Sequence, residues 1–239
     1  MGRPQAGPLE EARFAVDEAL VGDYARASAF AQAALSKCTR REVKAGAAIA
    51  FALAGNTRGA SRIADELSAK YPGTTDVQRN FVPAIRAAIA LRNGRPEDAI
   101  QALQPATPYE VSDLGFTFLP LYLHGMAFLA LKSGEQASRE FAELIGGCSA
   151  FAELTCSLAQ LQLARAYALI GETAKAKSEY AGFFALWKDA DPGIPILTRA
   201  KTAYAELRGA KPRLSLAKLR SVSEAQRRIV GGRAGRGAP

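Results

Sequence analysis

Histidine is almost missing from this chain: His124 is the one imidazole in 239 residues. A single histidine cannot build a multi-histidine metal site, and it offers little to a nucleophile–base pair. No GxSxG turn and no metal-ligand spacing stand in for it. Cysteine is also scarce. Cys38, Cys148 and Cys156 show no CxxC spacing, and their odd number leaves at least one unpaired. That pattern predicts buried thiols in a reducing, cytoplasmic setting, not a disulfide or zinc framework. β-Branched runs are few, so the usual sign of a sheet is weak. No catalytic residue, metal ligand or cofactor is therefore expected, and the chain reads as a non-enzyme.

What the chain does have is alanine-rich apolar sequence, with 49% hydrophobic residues. Its charge of +8 looks like a nucleic-acid signal until it is located. Residues 210–239 carry eight basic side chains and one acidic one, Glu224, whereas the other 23 basic and 22 acidic residues nearly cancel. A basic tail on a neutral body differs from a basic binding surface. The tail lacks the interleaved aromatics that base stacking uses. Nucleic acid is accordingly not the expected partner of the body, and nucleic-acid or anionic-surface association through the tail is the alternative.

The body is organised by a recurring unit. In Leu161–Trp187, Leu163, Tyr167 and Ile170 recur at helical spacing, then Gly171 turns the chain. Ala176, Tyr180, Phe183 and Trp187 come next at the same period. Two such stripes across a short turn bury each other, and the alanines admit close backbone approach. Gly-x4-Ala recurs at 22/27, 55/60, 94/99 and 171/176. The fourth unit is out of step: Gly134 marks a turn by spacing, but Gly125 gives better intervals to Ala137 and Phe141. Thr39 and Glu42 have the spacing of a capping box. After Trp187, Asp189-Ala190-Asp191-Pro192-Gly193 breaks the chain, and Asp191 reads as a turn residue, not an acid/base or calcium ligand. A last helix then places Leu197, Ala200, Tyr204 and Leu207 on one side, as a solenoid cap would.

Two stretches test this reading. The first residues, MGRPQAGPLEEARF, lack the apolar segment of a secretory signal. Leu114 to Leu131 is 18 residues without formal charge, the minimum for a membrane span. Pro120, His124, Gly115 and Gly125 interrupt it, and it keeps the repeat register, so a buried helix is expected and membrane association is not.

The unit at Leu163, Ala164, Tyr167, Gly171, Ala176 and Tyr180 resembles the tetratricopeptide repeat, with weaker copies from Leu9 to Leu207. The third copy departs from the pattern, with Arg86 at a normally apolar position. A narrower resemblance is carried by FALWKDADPGIPILTRAKTAYAEL, by Pro108–Glu110 and by His124–Leu131. It is to the C-terminal repeat region of bacterial, particularly acidobacterial-type, eukaryotic-like serine/threonine kinases. These 239 residues contain no glycine-rich phosphate loop, HRD-type catalytic loop or DFG, so no kinase residue carries over.

The expected fold is all-α: a right-handed superhelix of about five tetratricopeptide-like hairpins and a C-terminal capping helix. Residues 1–8 form a lead-in, 9–208 the repeat domain, and 209–239 a basic tail without sustained apolar patterning. The resemblance implies a non-catalytic scaffold that binds a peptide or protein segment on its concave face. A regulatory segment of a kinase system is the alternative. First helices line the concave face in that architecture, so Arg86 and Arg165 are candidates to clamp a carboxylate. Tyr122 and Met126, four apart on the fourth unit's first helix, are candidates to line the groove.

Overall fold

The turn residues dictate the architecture. The structure, a computed structural model, describes residues 6–109, 118–148 and 154–209. Gly22, Gly55, Gly94 and Gly171 all adopt the left-handed backbone, with φ of 96°, 103°, 70° and 79°. Glycine enters this region without a Cβ penalty, so each can reverse the chain directly after a helix. Five hairpins result: α1 (Pro8–Val21) with α2 (Tyr24–Lys37), α3 (Arg41–Ala54) with α4 (Thr57–Lys70), α5 (Val82–Arg92) with α6 (Pro96–Leu103), α7 (Leu119–Ala130) with α8 (Gly134–Gly147), and α9 (Leu154–Leu169) with α10 (Thr173–Leu186). The last helix among the described residues, α11, spans Pro195–Gly209. No strand occurs among the described residues. Each helix packs mainly on its neighbours in the chain, and α3, α5, α7 and α9 also meet the preceding first helix or the next one, giving an all-helical solenoid.

The small residues sit where the pattern places them. Ala27, Ala60, Ala99, Ala137 and Ala176, one on each second helix, are fully buried. The fourth hairpin shows how the pattern survives without glycine. Lys132, at φ 57°, occupies the left-handed turn position, five residues before Ala137. Neither Gly134 nor Gly125 is the turn, contrary to the expectation from spacing. Gly134 opens α8, and a Cβ there would lie 2.9 Å from the Ala166 carbonyl oxygen on α9. Gly125 lies inside α7 against the Phe141 ring, with 2.6 Å between a would-be Cβ and Cζ. Both glycines are contacts between helices.

Two expectations about single residues also change. The Thr39–Glu42 box does not form: Arg40 takes the N-cap position with extended backbone and no side-chain cap, and Glu42 meets Arg40 and Arg41 instead, each at 3.3 Å. Arg86 does not enter the core. A π-helical turn, Val77–Phe81, precedes α5, and the Val82 N–H reaches back to the Val77 carbonyl. Pro83 lacks the donor that a regular α-helical turn would require there, and the extra residue rotates the helix beyond it. Arg86 therefore faces outward, 3.6 Å from Asp65 of α4.

Asp191 behaves as a turn residue, accepting the Gly193 N–H at 2.8 Å. In α9 the stripe is broader than Leu163, Tyr167 and Ile170. Thr155, Cys156, Leu158, Ala159, Leu161 and Gln162 are buried too, because α7, α8 and α10 surround the helix. No helix among the described residues is long and apolar enough to cross a membrane. The charge-free stretch contributes α7, buried within the solenoid. The basic tail lies outside the described residues.

The cysteine reading is corrected outright. Cys148 and Cys156 form a disulfide, with Cα atoms 6.2 Å apart, and only Cys38 is free. CxxC spacing gave no sign of it because the pairing is tertiary. Cys148 ends α8 and Cys156 lies in the first turn of α9, so the packing of α8 on α9 brings them together. The bond ties the fourth unit to the fifth.

Two measurements check this packing. Gly125→Ala should cost about 1–3 kcal/mol in urea unfolding, because Phe141 must move. Gly146→Ala, with nothing within 4 Å of the added Cβ, should be neutral or stabilise by up to about 1 kcal/mol. Alkylation in denaturant should modify one thiol per chain without prior reduction and all three after it; three without reduction would contradict the disulfide.

Candidate functional site

The inner side of the solenoid is built by first helices, and α11 crosses it. Leu197 and Ala200 of α11 are buried, and Tyr204 packs on Tyr180 and Phe184 of α10 with centroids 5.5 and 5.6 Å away. This is the contact expected of a cap. The same helix also touches α1. The Arg199 guanidinium lies over the turn of the first hairpin, 2.7 Å from where a Gly22 Cβ would stand. The last helix thus meets both the last hairpin and the first, and it divides the inner face into two connected spaces.

The inner space is a cavity of about 370 Å³, walled by residues of α1, α2, α3, α5, α7, α9 and α11. The outer space is an open trough of about 670 Å³ between α7, α9, α10 and α11. Met126, Ala130, Gln162 and Arg165 line both and mark where they join.

A polar relay sits at that junction. Gln162, 1% exposed, donates from Nε2 to the Tyr122 hydroxyl at 3.0 Å, and its Oε1 accepts from Arg165 Nη1 at 3.0 Å. Buried polar groups persist when they satisfy one another, as these three do. Burial pushes the Tyr122 hydroxyl up to about 12, although the Gln162 hydrogen bond and the nearby Arg165 and Arg199 charges pull it down. Tyr180 is also raised by burial, with Arg165 opposing the rise. Arg165 and Arg199 form no ion pair among the described residues. At the rim, the Arg92 guanidinium lies 5.0 Å over the Tyr24 ring.

Three of the four residues singled out from the sequence therefore meet: Tyr122, Met126 and Arg165. Arg86 stands apart on the α4–α5 surface with Asp65. Two residues of the site were not foreseen, Gln162 and Arg199. Gln162 left one faint sign, a polar residue set directly between Leu161 and Leu163. Arg199 left none, because only tertiary closure carries it to Gly22. His124 lies 3.3 Å from Glu140 and 4.9 Å from the Phe128 ring, away from both spaces. No protein-family model, curated protein or solved structure matches the chain.

The relay makes a pH-dependent prediction. The Tyr122 pKa rises from 10.0 to about 12 on folding, so between those values the unfolded chain ionises while the native one does not. The stabilisation is complete below about pH 10 and is lost as pH rises toward 12, at up to about 1.4 kcal/mol per pH unit. Urea titrations over this range should show the decline. Tyr122→Phe should remove its share of the slope, while lowering neutral-pH stability by about 1–3 kcal/mol because Gln162 loses its acceptor.

Proposed function

We propose that the chain is a tetratricopeptide-like repeat protein, a non-catalytic scaffold that holds a peptide or protein segment on its concave face. One observation supports the reading: the outer trough between α7, α9, α10 and α11 is open and largely apolar. Met126, Leu129 and Leu207 form its floor and sides, and Leu169 remains 48% exposed within it. Arg165 and Glu206 border the same trough with opposite charges. Apolar area with a few convergent polar groups is the usual composition of a recognition site. Leu169 is the kind of exposed large side chain that a partner covers.

The Cys148–Cys156 bond bears on where this happens. A disulfide linking two structural units persists outside reducing compartments, which weighs against the cytoplasmic placement drawn from the cysteine count.

The test is selection of ligands from a random peptide library on the intact chain, with affinity measurement of those selected. Leu169→Glu, a surface change that leaves the core alone, should weaken selected peptides by about tenfold or more. Arg86→Glu should leave them unchanged. Selected peptides indifferent to Leu169→Glu, or no selectable peptide, would overturn the proposal.

A further inference from the structure

The inner cavity has a chemistry distinct from the trough. Its walls are aliphatic, with Leu20, Leu53, Leu91 and Leu123 arriving from four successive first helices. Arg165 and Arg199 supply its charge, and among the described residues no aspartate or glutamate lines it. The neutral polar groups are already engaged, since Gln162 and Tyr122 bond to each other and Gln162 also bonds to Arg165. What is left is positive charge beside a mostly apolar wall. A guanidinium beside an apolar wall is a planar, oriented partner for an anion whose body that wall can cover.

We infer that the inner cavity binds a small monocarboxylic acid with an aliphatic body. The carboxylate lies between Arg165 and Arg199, and the body lies against the leucine wall. A guanidinium fork matches a planar carboxylate through paired N–H···O bonds. A phosphate dianion would demand more donors than this cavity holds, and its apolar walls would offer such a group nothing. The volume of about 370 Å³ falls within the range of small-molecule sites. A polypeptide is the weaker match, because the cavity is crossed by α11 and opens through the junction at Met126 and Arg165. The inference does not rest on the peptide reading of the trough; either can fail alone.

Occupancy has a structural consequence. Arg165 belongs to α9 and Arg199 to α11, so an acid between them joins the last helix to the inner face. Binding should therefore stabilise the docked position of α11 in addition to filling space.

The probe is octanoate, with octanol as the uncharged molecule of the same aliphatic body, titrated into the full chain by calorimetry and thermal unfolding. Octanoate should bind saturably, raise the unfolding temperature, and bind about tenfold or more tightly than octanol. Arg199→Met should abolish that preference while leaving the unliganded unfolding temperature nearly unchanged, since Arg199 is exposed and has no ion pair among the described residues. Arg165→Met should do the same for the preference, and Arg86→Met should change nothing. Equal affinity for octanoate and octanol, or full octanoate affinity in Arg199→Met, overturns the inference. So does the absence of saturable binding, or equal loss in Arg86→Met, which would mark surfactant-like adsorption. Peptide capture in the trough without octanoate binding overturns this inference alone, and the reverse result overturns only the peptide proposal.

Discussion

The close approach of paired helices at buried small residues is the contact on which the rest of this structure depends. Ala27, Ala60, Ala99, Ala137 and Ala176 keep the second helices tight against their partners. Gly125 and Gly134 extend the same logic to the faces meeting Phe141 and α9. No hairpin could bury its apolar stripe alone, so the units stack, and stacking places the first helices side by side along one inner surface. The inner cavity is a product of that stacking. Its leucines are ordinary core-forming residues left facing inward where neighbouring first helices do not meet a further layer.

Against this apolar background, the polar groups on the inner face carry weight. A glutamine and a tyrosine buried together in a helical core cost free energy unless fully paired. Gln162 and Tyr122 meet that condition, and they hold Arg165 at the junction of trough and cavity. Arg199 arrives from the opposite direction on α11. Two cations from different helices, beside the leucines of the inner cavity and with no carboxylate among its described lining residues, give that space a polarity.

The legible parts of the fold were those encoded locally. Left-handed turns need glycine for a steric reason, so Gly22, Gly55, Gly94 and Gly171 could be read one at a time. Where another residue accepts the same backbone strain, as Lys132 does, the signal vanishes and neighbouring glycines mislead. Arg86 was misplaced because a π-helical turn ahead of Pro83 shifts the register, a change invisible to a fixed helical period. The Cys148–Cys156 bond escaped because spacing rules describe local ligand sets, whereas these cysteines meet where α8 packs on α9. Tyr122, Met126 and Arg165 were reachable through the logic of first helices. Arg199 and the path of α11 were not, since they depend on the curvature accumulated over five units.

That path is the centre of the account, because without α11 against α1 there is no inner cavity and Arg199 has no role. Spin labels at Ala25→Cys on α2 and Lys201→Cys on α11, in a Cys38→Ser background, would measure the gap directly by double electron–electron resonance. The disulfide leaves no other thiol to label. A single narrow, short distance is predicted, with the same centre with and without octanoate and a narrower spread with it. A broad distribution centred at long distance would mean that the last helix does not return to the first, and the account would fail.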